Sequence, residues 1–224
     1  MCLRYAFTTV NFKLISQRFK LQKIIPDLEP RYNIAPTQQV PVIFNDDEKT
    51  LSEAKWGIRA RWYEESGAEH LLFNARSESI DKKPSFKKDF ELRRCLMLAD
   101  SFYEWKHPEK RPFRISLKGN EMFAFAGIYA DGNDGKARSC CMITTESNEL
   151  ISKVHNRMPV ILPLGEEMEW LESEADAAKK ILKPYPAEKM DMYELTSKIN
   201  SSRNDSLDVI EAKTDKGTLV EYMG

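Results

Sequence analysis

The middle of the chain carries the feature that most constrains its fold, a series of strand-like runs that follow one another closely. They read CLMLADSFYEW, PFRISLK, MFAFAGIYA and SCCMITTES, between positions 95 and 147. Turn signals, KGN and DGNDG, separate the later runs. Strands joined by such short turns pair antiparallel. The pattern therefore predicts an α+β fold, a single domain over 1–224 with a mainly antiparallel, partly barrel-like β-sheet flanked by helices.

Short amphipathic segments predict the flanking helices. Asn11 is placed to cap a helix that runs through FKLISQRFKL, and GEEMEWLES begins another. In SFKKDFELRRC, the spacing predicts a helix that turns Phe86, Phe90 and Leu92 inward.

The composition argues against several classes of protein. The 224 residues are 42% hydrophobic and 31% charged, so neither disorder nor membrane insertion is favoured. No apolar stretch is long enough to span a bilayer, and no hydrophobic segment precedes Cys2 as a lipoprotein signal requires. We therefore expect a cytoplasmic protein with no membrane partner.

The cysteines and histidines lack the spacing of a metal site. Cys2, Cys95, Cys140 and Cys141 form no C-x-x-C pair, and the histidines do not cluster with them in sequence. This predicts no metal, no disulfide framework and no cofactor.

The charge is nearly balanced in sum but uneven along the chain. The formal net charge is −1, yet cations crowd into 82–114 while 165–177 carries only acids. A basic groove for nucleic acid with an acidic back is one interpretation. Scattered solvated faces are the alternative, and charge alone does not decide between them.

Position two carries a cysteine whose chemistry depends on the residue before it. If Met1 is removed, Cys2 has both a free α-amine and a thiol, with ordinary pKa values near 8 and about 8.5. Both groups are then expected to be partly nucleophilic at neutral pH. Such a 1,2-aminothiol condenses with an aldehyde to an imine, and the thiol then closes a five-membered thiazolidine ring. A cysteine that follows methionine by coincidence is the plain alternative.

Further motifs occur in order along the chain: RYNIAPTQ (31–38), KWG (55–57), FNARSES (73–79), ADSFYEW (99–105), FAGIY (125–129) and TTESNELISKVHNRMPVIL (144–162). Together with MC-R at the start, this ordered set resembles the SRAP family, the SOS response-associated peptidases. That family includes abasic-site-shielding proteins of bacteria and vertebrates. The resemblance implies binding of single-stranded DNA that contains an abasic site. It further implies a protective thiazolidine crosslink through N-terminal Cys2, with self-processing peptidase and lyase activities.

The resemblance also implies catalytic roles. Cys2 matches the crosslinking nucleophile, and Asn74 matches the family's active-site asparagine, whose amide can hold the amine or a sugar hydroxyl. Glu104 matches the residue that moves protons, and its aromatic neighbours suggest a partly apolar pocket and a raised pKa. His155 matches the family histidine, which can assist proton transfer at the sugar oxygen.

A second group of residues is implied to contact DNA. Arg4 and Arg76 match arginines that hold phosphates flanking the lesion. Pro36 and Trp62 match a pair that stacks on, or wedges between, exposed bases. The remaining candidates lie in or near the same motifs and are Asn33, Lys83, Trp105, Thr145 and Arg157. The expected partner is single-stranded DNA with abasic sites, which would place the protein at the nucleoid, and replication-fork proteins stay open as further partners.

Three departures from the family pattern bear on the expected site. Leu3 replaces the glycine that usually follows the cysteine, and we expect it to narrow the turn of the N-terminus into the pocket. WGIRARW (56–62) loses a proline and gains two arginines in the expected wedge loop. Leu98 and Ser101 replace a proline and a glycine ahead of Glu104.

Two other functions fit parts of the pattern. An N-terminal-nucleophile peptidase or amidohydrolase would use Cys2, with Asn74 and His155 as helpers. A non-covalent single-stranded DNA-binding module would bind intact and abasic strands alike, in a salt-sensitive way.

Overall fold

The computed structural model describes residues 2–21, 23–24, 27–46, 50–60, 70–132 and 137–213. The strands in these ranges are β1 (Tyr5–Phe7), β2 (Lys23–Ile24), β3 (Arg31–Ile34), β4 (Gln39–Phe44), β5 (Thr50–Trp56), β6 (Ile58–Arg59), β7 (Leu71–Leu72), β8 (Asn74–Arg76), β9 (Arg94–Ala99), β10 (Ser101–Lys106), β11 (Arg111–Leu117), β12 (Phe123–Ala130), β13 (Ser139–Glu146), β14 (Arg157–Pro159) and β15 (Met190–Glu194). The α-helices are α1 (Phe12–Phe19), α2 (Lys87–Leu92), α3 (Glu167–Glu172) and α4 (Ala175–Ile181).

The first sheet carries the N-terminal strand in its interior. Its order is β15-β11-β10-β1-β3, and neighbouring strands run antiparallel. Tyr5 lies opposite Phe102, and the backbone N–H of Tyr103 donates to the Arg4 carbonyl at 3.0 Å. The residues that precede β1 therefore run along the end of β10 that carries Glu104.

The second sheet closes on itself. Antiparallel pairs link β13, β12, β9, β4 and β5 in turn, and β5 then pairs back with β13 in parallel. β8 and β14 flank β13, where Arg76 and Pro159 both lie beside Thr144. The predicted α+β class with a mainly antiparallel, partly barrel-like sheet is confirmed. The predicted extent of the domain, 1–224, includes residues outside the described ranges and stays a prediction.

The run CLMLADSFYEW contributes two strands rather than one, and they belong to different sheets. The strands β9 and β10 meet at Asp100, whose carboxylate accepts from the backbone N–H of Thr8 at 2.5 Å and from its hydroxyl at 2.7 Å. These bonds fix the point where the chain passes from one sheet to the other. Leu98 and Ser101, the two departures next to this point, are fully buried.

The first sheet packs on both faces. On the inner face, the ring of Tyr5 lies 5.4 Å from Trp56 and 5.6 Å from Phe125, within the main core. A smaller cluster covers the outer face and consists of Ala6, Tyr103, Leu195, Ile199 and Val209, with Trp105 packed against it. Because side chains alternate along a strand, Glu104 is on the inner face and its neighbour Trp105 on the outer face.

The helices largely follow the sequence pattern. The side chain of Asn11 caps α1 and accepts from the backbone N–H of Leu14 at 3.1 Å, as predicted. On α2, Phe86 and Phe90 are buried as expected, but Leu92 is 59% exposed, so its predicted inward orientation is wrong. Two positions after Phe90, it lies about 200° around the helix. No helix in the described ranges is long and apolar enough to cross a membrane.

Candidate active site

Cys2 lies inside the protein, against the end of β10. Its side chain is fully buried, and its thiol donates to the Arg4 carbonyl at 3.4 Å. Burial raises the pKa of the thiol well above its ordinary value, and the nearby charge of Glu104 raises it further. This environment holds the group as a neutral thiol, and the partly nucleophilic aminothiol expected once Met1 is removed stays a prediction.

The side chain of Leu3 turns outward and is 39% exposed. Its bulk therefore lies partly in solvent, and the expected narrowing of the turn of the N-terminus stays a prediction.

Glu104 supplies a carboxyl group whose pKa suits proton transfer near neutral pH. The residue is 4% exposed, and burial raises its pKa from 4.5 to about 7. Its Oε1 atom is buried without a hydrogen-bond partner in the described part of the chain. This confirms the raised pKa expected from its aromatic neighbours and leaves one oxygen free for a ligand or substrate.

Asn74, the first residue of β8, touches the N-terminal segment directly. Its Nδ2 donates to the carbonyl of Cys2 at 3.0 Å. The Oδ1 atom of the same amide is buried and, among described residues, has no hydrogen-bond partner. Asn74 therefore fixes the backbone of Cys2 with one end of its amide and presents an acceptor with the other.

His155 lies just before β14, and the backbone of Arg157 contacts one of its ring nitrogens. The Nδ1 atom lies 2.9 Å from the backbone nitrogen of Arg157 and 3.1 Å from its carbonyl oxygen, so both neutral tautomers fit these contacts. Burial lowers the pKa of the imidazole, so the neutral form dominates at pH 7. His155 is thus a mainly neutral ring that the Arg157 backbone holds at Nδ1.

Arg157 ties this histidine segment to the segment that carries Asn74. Its guanidinium forms a two-pronged ion pair with Glu78, in the turn after β8, and donates to the Thr144 carbonyl at 2.7 Å. Because β8 and β14 both flank β13, this ion pair holds the end of β8 and the start of β14 together.

Arg4, Asn33 and Trp105 form one cluster at the outer face of the first sheet. Arg4 donates to Asn33 Oδ1 at 2.5 Å and lies 5.9 Å from the Trp105 ring. Asn33 is fully buried, and its amide donates to the carbonyls of Ser201 and Asn204 at 2.9 and 2.8 Å. Asn33 therefore holds Arg4 in position, while DNA contact by Asn33, Arg4 and Trp105 stays a prediction.

Arg76 and Lys83 have the exposure that phosphate contacts require. Both side chains are exposed, and neither makes a hydrogen bond or an ion pair with the described residues. Thr145, by contrast, is buried on β13 opposite Met158. The predicted DNA contacts at Arg76, Lys83, Thr145 and Arg157 all remain predictions.

Pro36 begins a tight turn with an unusual backbone. The N–H of Gln38 donates to the Ala35 carbonyl at 3.4 Å, and Thr37 has a φ of 74°. A β-branched residue is rare in this left-handed region, so the turn is strained. The bond from Thr37 N–H to the Trp56 carbonyl, at 2.8 Å, holds it in place. The predicted stacking partner of Pro36, Trp62, lies outside the described residues.

The motifs gave no role to three polar residues that organise this region. Glu78 anchors Arg157, and Asn200 accepts from the Trp105 indole at 2.8 Å. Asp205 accepts from two consecutive backbone N–H groups of β3, at 2.6 and 2.9 Å. Glu78 is the acid within FNARSES, which is a detectable signal. The stretch NSSRNDS, which carries the other two, has only the composition of a turn. Within the described ranges, no group of three or more His, Cys, Asp or Glu could hold a metal ion.

Comparison with known proteins places this geometry in a family. The sequence profile described as "SOS response associated peptidase (SRAP)" matches residues 1–202. Abasic site processing protein YoqW of Bacillus subtilis is 38% identical, covering 95% of this chain and 100% of the relative. Abasic site processing protein YoaM of the same organism is 36% identical, covering 95% and 99%. Abasic site processing protein HMCES of Xenopus tropicalis is 27% identical, covering 82% of this chain and 66% of that relative.

A solved structure supports the same assignment. A protein from Bacteroides thetaiotaomicron superposes with a TM-score of 0.82 at 26% identity, covering 95% of this chain and 100% of that one. The profile and the two Bacillus subtilis relatives each span most of the sequence. The chain therefore belongs to the SOS response associated peptidase (SRAP) family.

Proposed function

We propose that this protein processes abasic sites in single-stranded DNA by forming a covalent thiazolidine crosslink through Cys2. The names of its relatives support abasic-site processing. The observation that carries the proposal is a buried cysteine at position two beside a buried carboxyl group with a pKa of about 7. If Cys2 served packing alone, a buried carboxyl group that is about half ionised at pH 7 would not be needed beside it.

The reaction requires a free amine, so removal of Met1 comes first. An amide nitrogen is not nucleophilic, whereas a free α-amine with a pKa near 8 is partly so at neutral pH. The peptidase activity in the family's description supports self-processing as the route, with an aminopeptidase as the other. The product carries an amine and a thiol on adjacent carbons of Cys2.

The crosslink then forms in two steps that release one water. The α-amine adds to the aldehyde carbon of the opened sugar, and the resulting hydroxyl leaves as water while an imine forms. Protonated Glu104 supplies the proton for this leaving group, a task that suits a pKa of about 7. The thiol then adds to the imine carbon, its sulfur bonds to carbon, and its proton passes to the ring nitrogen.

Neighbouring residues orient the reacting groups. Asn74 holds the Cys2 carbonyl at 3.0 Å, which limits rotation of the aminothiol. His155, mainly neutral at pH 7, assists proton transfer at the sugar ring oxygen and promotes opening to the aldehyde. Burial, which raises the pKa of the Cys2 thiol, favours its protonated form before the imine is present.

The DNA is held by groups around this pocket. Arg76 and Lys83 are exposed cations that contact phosphates flanking the lesion. Pro36, on its strained turn, and Trp62 separate the neighbouring bases by stacking. The protein acts in the cytoplasm and associates with the nucleoid where the DNA is damaged.

Intact-mass analysis tests the proposal directly. The purified protein is mixed with an oligonucleotide that contains one abasic site and with the matched intact oligonucleotide. We expect loss of Met1, then an adduct with the abasic strand whose mass is the sum of both molecules less one water. Cys2→Ala should form no adduct, and Cys2→Ser should form little, because a hydroxyl closes the ring poorly.

The same mixture distinguishes the alternatives. Equal affinity for both strands without any adduct would establish a non-covalent binding module. Turnover of peptides or amides by a protein without DNA affinity would establish a general N-terminal-nucleophile hydrolase. Either result would refute the crosslinking proposal.

A further inference from the structure

A segment near the C-terminal end of the described chain encloses the Arg4 cluster. Residues 199–205, here called the C-terminal strap, supply backbone carbonyls to it. Arg4 donates to the carbonyls of Ile199 and Asn200 at 3.1 and 3.2 Å. The Asn200 side chain accepts from the indole of Trp105 at 2.8 Å. The strap therefore adjoins two predicted DNA contacts at once.

The strap is fixed in place by bonds to β3. Asp205 accepts from two backbone N–H groups of that strand at 2.6 and 2.9 Å. The buried amide of Asn33 donates to strap carbonyls on both sides of residues 202–203, at Ser201 and Asn204. A loop held at both ends in this way presents its outer side chains from a defined position.

The cationic side chains on and beside the C-terminal strap differ in whether the protein already supplies them with hydrogen-bond acceptors or carboxylates. Arg4 is engaged by the strap carbonyls, and Arg31 is paired with Asp205. Lys198 lies within 3.1 Å of two carboxylates. Arg203 is exposed, and its guanidinium has no hydrogen-bond acceptor or ion-pair partner among the described residues. Its charge is thus uncompensated next to groups expected to meet a polyanion.

We propose that the C-terminal strap is part of the DNA interface and that Arg203 contacts a backbone phosphate. This inference rests on the proposed function and extends it to a region outside the motifs that suggested it. Because Arg4 donates to protein carbonyls at both ends of its fork, its main effect is to hold the strap against β1. The phosphate contact on this side then falls to Arg203, which provides charge and a planar donor set.

Salt dependence of binding tests the proposal. The mature protein is titrated with a fluorescent, intact single-stranded oligonucleotide over a range of salt concentrations, so that covalent capture does not interfere. Each phosphate contact to a single strand contributes about 0.7 to the slope of log K against log salt. We expect Arg203→Gln to reduce the slope by about 0.7, and Arg203→Lys to restore most of it.

Lys118→Gln provides the matched control, because Lys118 is an exposed cation at the far end of β11. It lies six residues beyond the position opposite Trp105, about 20 Å along the strand. The slope of log K against log salt for Lys118→Gln should equal that of the wild type. An unchanged slope for Arg203→Gln, in a protein whose wild type crosslinks abasic DNA, would overturn the role of Arg203 and leave the proposed function intact. Absence of both binding and adduct in the wild type would overturn both.

Discussion

Replacing Glu104 with glutamine should remove a pH dependence from the stability of the fold. In the folded protein the pKa of Glu104 is raised from 4.5 to about 7, because burial penalises its charged form. The folded state therefore binds more protons than the unfolded state between these pH values, and stability falls as pH rises through that window. A shift of this size corresponds to ~3 kcal/mol at 1.36 kcal/mol per unit. Glutamine has a similar shape and no charge, so it avoids this loss.

Urea denaturation at pH 4.5 and at pH 8 measures the effect. Relative to Glu104→Gln, the wild type should lose up to ~3 kcal/mol of unfolding free energy between these pH values. Glu109→Gln, at an exposed position, is the control and should follow the wild type. The N-terminus must be defined by mass, since the N-terminal ammonium lowers the pKa of Glu104 and removal of Met1 moves that charge. A difference between wild type and Glu104→Gln that is equal at both pH values would refute the reasoning.

Three further substitutions have defined expected outcomes. Thr37→Gly should raise the melting temperature, with a gain of up to ~1 kcal/mol, because glycine adopts a φ of 74° without strain; a clear loss would show that the threonine side chain stabilises the turn. Asn74→Ala should slow adduct formation about tenfold or more while DNA affinity is kept, since it frees the Cys2 carbonyl; an unchanged single-turnover rate would argue against this. Asp205→Asn should cost about 1–3 kcal/mol in chemical denaturation, because it weakens the pairing with Arg31, and a value near zero would contradict the role given to the strap.

The sequence predicted the centre of the site better than its surroundings. The family motifs named Cys2, Asn74 and Glu104, and the structure brings these three together. The aromatic neighbours of Glu104 also predicted its raised pKa. Their proximity was predictable because the motifs hold these residue types at fixed positions, while their catalytic roles stay predictions.

The rest of the site depends on contacts between distant parts of the chain, which local sequence patterns do not encode. Nothing in NSSRNDS indicates that Asp205 pairs with β3, more than 170 positions earlier in the sequence. The same applies to Asp100, whose bonds to Thr8 divide an apparently continuous strand run between two sheets. The burial of Cys2 is a further case, since it requires β10 and β8 to close around the N-terminal segment.

Under the proposed function, the alternation of side chains along β10 would make chemistry and DNA binding adjacent yet separate. Glu104 faces the buried thiol on the inner face, whereas Trp105 faces Arg4 on the outer face. The inner environment must be dry to raise the pKa of Glu104, and the outer one must stay accessible to a phosphate backbone. A single strand satisfies both requirements because consecutive residues point in opposite directions. Changes at Trp105, or at Arg4 through the strap that it holds, should therefore alter DNA affinity first, and changes at Glu104 should alter the rate of the covalent step first.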